Sequence, residues 1–375
     1  MKPLIKHLVS GALWALITFV IGSVVISAQS QTVTTPRPVS PAAEVSQTIG
    51  LTEITVNYSR PRVTLNGVDR SGQIWGTQVP YGFNVLQGGN GGKNPWRAGA
   101  NENTTIEFTD DVVIEGKPLA AGKYGLHMAV WEDGRVTLIF SKNHTSWGSF
   151  FYEEKDDALR VDVRSKEISH TEVLTYDFVE MGNNYAILAL AWEKKQIPFR
   201  IEVDVQKTVL ANIRNELRSF PAFFWQGYQS AAQWCLNNNI NHEEAIQWAD
   251  QAIARNRSFQ TLATKAGLLT QSGKQADGNA IYEEAAGVAN KNQLNALGYQ
   301  MLARKDFDRA IKFLKLNAER FPDDPNCFDS LGEAYKQAGD RENAIKNLRK
   351  SLSMNPPPNV RANSEKLLKE LGETL

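Results

Sequence analysis

Arg60, Arg97, Asn101 and Glu102 make the best case for chemistry in this chain. A guanidinium beside glycines and aromatic residues can grip a carboxylate or phosphate in two places at once, and Asn101 and Glu102 follow Arg97 closely enough to share its rim. The same side chains have a plainer use, in which the arginines pair with Glu102 or another acid and tie loops to the edge of a sheet. That structural use is the preferred reading, with a ligand-binding rim kept beside it. Other reactive patterns fail on spacing. His242 precedes Glu243 and Glu244, but Ile246 stands where a metalloprotease helix needs its second His. No Gly-x-Ser-x-Gly elbow occurs. The acidic pairs Asp110-Asp111, Glu153-Glu154 and Asp156-Asp157 would point to opposite faces of an extended chain, so they read as solvated turn charges. Gly88, Gly89, Gly91 and Gly92 suggest a phosphate loop, yet Gln87 replaces its first Gly and Asn94 its hydroxyl residue. No catalytic residue, metal ligand or cofactor is therefore nominated.

Cys235 and Cys327 are the two cysteines. They are far apart and unaccompanied by closely spaced ligands, which favours buried thiols over a bridge or a zinc site. Trp75, Trp96, Trp131, Trp147 and Trp192 would stack on sugar rings if aligned on one exposed face. Use in a β core is the more economical account.

Those residues need a scaffold, and the chain offers two kinds. With 375 residues, 42% hydrophobic and 22% charged, it is too long for one typical core and too apolar for disorder. From Ala43 to Val205 short alternating or β-branched runs recur: Ile54 to Tyr58, Thr104 to Phe108, Asp111 to Glu115, Gly122 to Val130, Arg135 to Phe140, Ala158 to Val163, Thr171 to Val179, Tyr185 to Trp192 and Phe199 to Val205. Asp133-Gly134 is the sharpest hairpin signal among them, and Gly182-Asn183-Asn184 marks another turn. No helical period long enough for a crossover lies between the strands, so an all-β antiparallel sandwich is expected.

This region also carries specific words: Ser40-Pro41-Ala42-Ala43, Gln47-Thr48-Ile49-Gly50, Tyr58-Ser59-Arg60-Pro61, Ile74-Trp75-Gly76, Val79-Pro80-Tyr81-Gly82, Trp96-Arg97-Ala98-Gly99-Ala100-Asn101-Glu102 and Ala121-Gly122-Lys123-Tyr124-Gly125-Leu126. In these it resembles a domain family of unknown function found in exported proteins and common in Bacteroidetes, over roughly residues 38 to 205. The resemblance implies domain limits and an exported location, and no activity. Where that family passes almost directly from Tyr-Gly to Trp-Arg, this chain inserts Phe83 through Pro95, expected to be a mobile loop.

The remainder reads as helices. Phe328, Leu331, Gly332, Ala344, Leu348 and Pro356 repeat, one period back, as Leu294, Leu297, Gly298, Ala310, Leu314 and Pro322. Looser copies follow upstream in Leu262, Ala266, Leu269, Gly278, Tyr282 and Ala285, and in Ala232, Leu236, Ala245, Ala249 and Ala252. This segment resembles the tetratricopeptide (TPR) family, which implies a stack of antiparallel helix pairs with a concave face. Val360, Leu367, Leu368 and Leu371 suit a capping helix. Inner-helix positions Asn292, Asn295, Tyr299, Asn326, Asp329, Glu333 and Lys336 form a mixed polar groove able to read an extended peptide. Val209, Leu210, Ile213 and Leu217 mark one side of a helix ahead of the repeats, and the dense aromatic run Phe220, Phe223, Phe224, Trp225 and Tyr228 is expected to be buried, packing the first helices on the sandwich.

At the N-terminus, Lys2 and Lys6 precede the apolar run Leu8 to Ile26 and the small-residue exit Ser27-Ala28. The expected organisation is a signal peptide or signal anchor (1–28), a proline-rich linker (29–42), a β-sandwich domain (43–205) and a TPR-like array with a capping helix (206–375). The fold is thus multi-domain, all-β then all-α. The protein is expected to be exported, periplasmic or secreted, or else anchored to the inner membrane by residues 8–26. The formal charge of zero and the absence of a basic half argue against nucleic acid. The leading functional reading is a non-enzymatic binding or scaffold protein holding a protein partner on its repeats. The alternative is an enzyme acting on an envelope glycan or small anion through the β-domain.

Overall fold

The computed structural model describes residues 39–374. The proposed signal or anchor and residues 29–38 of the linker lie outside that range. The described chain forms two compact units. The β unit holds Ile54–Met181 and Ala186–Ile201 with the described residues up to Gln47, and the helical unit holds the described residues from Glu202 onward with Thr48–Glu53 and Gly182–Tyr185.

Fourteen strands are named in chain order: β1 Ala42–Ile49, β2 Thr52–Ser59, β3 Thr64–Leu65, β4 Val68–Asp69, β5 Asn84–Val85, β6 Lys93–Asn94, β7 Thr105–Phe108, β8 Val112–Ile114, β9 Lys117–Leu119, β10 Gly122–Val130, β11 Arg135–Ser141, β12 Asp157–Arg164, β13 Lys166–Met181 and β14 Tyr185–Glu202. A six-stranded sheet runs β1-β2-β7-β10-β11-β12 and a four-stranded sheet β13-β14-β8-β9, with β3-β4 and β5-β6 as separate ribbons. Alternation decides the inward faces: Ile54, Val56 and Tyr58 of β2 are buried, as strand geometry requires of every second residue. Rings from the two sheets meet in the core, Tyr58 with Tyr176 (4.8 Å between centroids) and Phe140 with Phe199 (6.1 Å). The Asp133-Gly134 hairpin forms, Gly134 adopting φ +84° in the turn between β10 and β11.

Three features depart from expectation. Tyr185 to Trp192 and Phe199 to Val205 read as two strands, but the first and most of the second belong to a single eighteen-residue strand, β14. Glu193 sits there at φ +53°, a bulge at which the pairing with β13 slips, and this bulge hides the continuity from a period-two reading. The insertion expected as a mobile loop is the β5-β6 hairpin. Asn90 pins its turn, donating from its backbone to Phe150 O and from Nδ2 to Tyr152 O. β1 does alternate, with Ala42, Glu44, Ser46 and Thr48 exposed and Ala43, Val45, Gln47 and Ile49 turned inward, but the small Ala43 and the polar Gln47 on the inner side hide that period in the sequence.

The described residues form ten α-helices, α1 Val205–Glu216, α2 Trp225–Asn238, α3 His242–Arg255, α4 Phe259–Gln271, α5 Gln275–Val288, α6 Lys291–Ala303, α7 Phe307–Arg320, α8 Pro325–Gln337, α9 Arg341–Ser353 and α10 Pro358–Glu370. Asp306, Asp324 and Asp340 cap α7, α8 and α9 by accepting backbone N–H bonds, and Asn290 with Gln293 forms a reciprocal box at α6. α2/α3, α4/α5, α6/α7 and α8/α9 are antiparallel pairs. Gly298 and Gly332 occupy equivalent close crossings: a Cβ at Gly298 would lie 2.6 Å from Leu314 Cδ2, and one at Gly332 2.8 Å from Leu348 Cδ2. In α4/α5 the close approach moves to the partner helix, where a Cβ at Gly278 would meet Ala266 O at 2.9 Å, and Tyr282 fills the space used elsewhere by leucine. Val360, Leu367 and Leu368 of α10 are buried, Leu367 and Leu368 against Leu348, closing the apolar end of the stack.

The aromatic join is a correction. Leu210, Ile213 and Leu217 of α1 do pack against the α2/α3 core, but Phe220 (70% exposed), Phe223 (78%) and Phe224 stand open. Pro221 takes the chain through one 3-10 turn, and the three rings pack on one another, Phe220 to Phe224 at 5.1 Å, instead of entering a core.

Candidate functional site

The four polar residues singled out in the β unit are spent on local structure. Arg60 donates from Nε to Leu174 O (3.0 Å) and from Nη2 to Thr175 Oγ1 (2.7 Å), which fastens the segment after β2 to β13. Arg97 donates from Nη1 to Asn101 O and lies over the Phe150 ring at 5.0 Å. Burial holds its pKa below the usual guanidinium value, against the pull of Glu102. Asn101, itself at φ +62°, donates to Ser40 O (3.2 Å), and Ser59 Oγ donates to Glu102 (3.4 Å). Arg97, Asn101 and Glu102 thus lie in one stretch of loop contacts, while Arg60 faces β13.

A cavity of about 650 Å³ lies beside them, lined by their neighbours and not by the four themselves. Trp96 and Trp192 provide a near-parallel pair of rings (18° between planes, 6.2 Å between centroids), with Trp75 edge-on to both. Arg62, Arg70 and Gln78 supply the polar side, and Pro41, Pro61 and Val79 the apolar side. Trp192 is buried and Trp75 and Trp96 pack against it, as expected of core use, whereas Trp147 is 55% exposed and departs from that expectation; Trp96 and Trp192 also border open space.

A second polar cluster is closed. His127 on β10 is 1% exposed, with Nδ1 2.8 Å from Ser149 Oγ and its ring edge-on to Tyr152. Burial, with Arg97 nearby, lowers its pKa to about 4, so it is neutral at ordinary pH. Tyr152 in turn donates to Asp157 and receives a bond from Arg160. The pairing of His127 with Ser149 was invisible in the sequence, where 22 positions separate them.

In the helical unit the nominated groove is largely cross-linked. Tyr299 Oη donates to Glu333 (2.9 Å), Lys336 bonds Glu370 (2.6 Å), and buried Asp329 accepts from Asn363 Nδ2 (2.9 Å) and from Ser364 Oγ. Burial raises the Asp329 pKa, which the two donors oppose. Glu370, Asn363 and Ser364 all belong to α10, so the capping helix occupies the α8 end of the groove. Asn292 is exposed, Asn295 and Asn326 half-buried, and Asn295 Oδ1 is a buried acceptor without a partner among the described residues. The open part lies upstream. Gln233, Leu236, Phe259, Gln260, Ala263, Thr264, Gln293 and Gln300, from α2, α4 and α6, surround a hollow of about 410 Å³ with no charged side chain in its lining. Thr264 stands at its floor, accepting from Gln229 Nε2 (2.7 Å) and donating to Gln233 Oε1 (2.8 Å). The recurrence of Gln on inner helices was the available signal for this site.

The helical segment is similar to solved structures of "MamA 41-end from Desulfovibrio magneticus RS-1" (19% identity, 40% of this chain and 90% of that one, TM-score 0.27) and of PilF from Pseudomonas aeruginosa (21%, 39% and 68%, 0.28). A third is YrrB, described as a TPR protein with an unusual peptide-binding site (16%, 43% and 83%, 0.30). At TM-scores of this size none of them bears on what this chain binds. The comparison with curated proteins gave no match. Residues 327–358 match the tetratricopeptide repeat model, which covers α8 and α9. Residues 40–201 match the family described as "Protein of unknown function (DUF2911)", so the β unit is a domain of that family and the chain carries it ahead of tetratricopeptide repeats.

Proposed function

We propose that this protein is an exported, non-catalytic scaffold whose helical unit holds an extended, weakly charged segment of another protein. One observation carries the reading: the hollow on α2, α4 and α6 is lined by four glutamines and a threonine together with Leu236 and Phe259, and by no ion. Gln233 is tied at both ends, to Asn237 and Thr264, but Gln260, the Nε2 of Gln293 and the Oε1 of Gln300 remain to match the alternating N–H and C=O groups of an extended main chain, and the apolar residues give its side chains a place to sit. Charged partners gain nothing there and lose hydration. Tetratricopeptide repeats support protein–protein interaction in general. The spending of Arg60, Arg97, Asn101 and Glu102 on loop contacts favours a reading without catalysis. Export rests on the N-terminal pattern of Lys2, Lys6 and the apolar run after them.

The test is fluorescence anisotropy of the full chain with labelled extended peptides of one length, graded from uncharged to strongly acidic and strongly basic. Uncharged peptides should bind most tightly, and Gln260→Glu with Gln300→Glu should weaken them. Equal binding across the series, or binding indifferent to both substitutions, refutes the proposal.

A further inference from the structure

The β unit contains a site independent of the repeats. Its cavity of about 650 Å³ is within the size range of small-molecule sites and, among the described residues, no acidic residue lines it. The segment that follows Arg60 builds one wall, running antiparallel beside β13 through Val63 N to Glu172 O and Leu174 N to Pro61 O.

Arg70 is the unusual member. Its guanidinium is held in place by three neutral acceptors: Nε donates to Val63 O (3.0 Å), Nη1 to Gln78 Oε1 (3.1 Å) and Nη2 to Arg62 O (2.5 Å). Arg70 forms no ion pair among the described residues, and two of its five N–H groups have no acceptor there. Arg62 is 60% exposed at the rim and reaches Glu172 at 3.6 Å. A cation fixed by carbonyls, with no counter-ion, is set to receive an anion without a further ordering cost.

Another part of the lining is apolar and flat. Trp96 is partly buried and lies almost parallel to Trp192, with its own Nε1 donating to Gly99 O (3.1 Å), which fixes the ring. Thr64, Asn66 and Gln78 add hydroxyl and amide groups around the opening. A flat apolar face, several neutral hydrogen-bonding groups and one unpaired cation together match a ring that has an apolar face, many hydroxyls and one negative charge.

We infer that this cavity binds a short acidic glycan, with the carboxylate of a hexuronic acid on Arg70 and the sugar face on Trp96. An aromatic acid shares the charge and the flat face but leaves Thr64, Asn66 and Gln78 without hydroxyl partners. A neutral sugar leaves Arg70 uncompensated.

The probe is trigalacturonate, titrated into the full chain by calorimetry and followed by tryptophan emission. Neutral maltotriose and benzoate serve as the two comparison ligands. Trigalacturonate should bind at least about tenfold more tightly than either, the difference expected for one charge-assisted bidentate contact, and should weaken with added salt. Arg70→Gln should remove the preference for the acidic ligand, and Trp96→Ala should weaken trigalacturonate by about tenfold, with circular dichroism confirming that each variant is folded. If Arg70→Gln does not fold, Gln78→Ala, which frees one of the three restraints on the guanidinium, should still lower the preference. Equal affinity for maltotriose or benzoate, or no heat and no emission change with trigalacturonate at millimolar concentration, overturns the assignment.

Discussion

Gly298 provides a sharp test of how the helix pairs close. A methyl group at this position would lie 2.6 Å from Leu314 Cδ2 and 3.0 Å from Cδ1, with Cγ also in its path. Leu314 is fully buried and cannot swing away. Gly298→Ala removes the conformational cost of glycine inside a helix, a gain of about 1 kcal/mol. It also overpacks the crossing, at a cost of about 1–3 kcal/mol, so the single variant should be neutral to destabilised by about 2 kcal/mol. Leu314→Ala alone should cost about 2–5 kcal/mol by opening a cavity. In that background the clash is gone and Gly298→Ala should stabilise by about 1 kcal/mol. The predicted coupling between the two sites is therefore about 1–3 kcal/mol, favourable to the pair of changes. The cycle is measured by urea unfolding of the helical signal at 222 nm. If Gly298→Ala has the same effect in both backgrounds, the close crossing does not set the packing and the argument for Gly332 with Leu348 fails with it.

Other outcomes follow from buried groups. His127 has a folded pKa of about 4 against 6.5 for an ordinary histidine, so the unfolded chain binds more protons between those values. Its contribution is intact above pH 6.5 and falls away as pH drops toward 4, by about 3 kcal/mol in all; unfolding followed by tryptophan emission should show this slope, and His127→Gln should flatten it. Cys235 and Cys327 are buried thiols with pKa pushed up to about 11 by desolvation, so both should resist a thiol reagent at pH 8 in the native chain and react in urea; rapid native labelling would contradict that burial. Asp329→Ala strands the donors of Asn363 and Ser364, at a cost of about 1–3 kcal/mol. Limited proteolysis should then cut within α10 first, and an unchanged cleavage pattern would deny α10 its fastening to α8.

Local pattern carried most of the architecture. The alternation in Ile54 to Tyr58 and the 34-residue spacing of Gly298 and Gly332 each report a neighbour that must exist for the residue to be buried or small. What sequence could not report was which loops meet across a fold. Arg60 and Arg97 drew attention because they sit in distinctive words, yet the open cavity belongs to Arg62, Arg70 and Trp192, brought together by the antiparallel run of residues 60–63 along β13. Glu193 turned one strand into two apparent ones by taking a left-handed backbone in a bulge. Phe220, Phe223 and Phe224 misled in the opposite way, because apolar composition states only a preference for burial and the chain direction after Pro221 denied it. In the groove, the inner-helix positions were legible by period, but their occupation by α10 depended on where the last helix docks.

The most direct measurement places a photo-reactive benzophenone side chain at Gln260 of the full chain, or at Ala280 on the exposed face of α5, and maps its cross-links to an uncharged extended peptide. The account predicts strong cross-linking from position 260 and little from 280. Equal yields, or a yield only from the outer helix, would contradict a partner held in the amide-lined hollow.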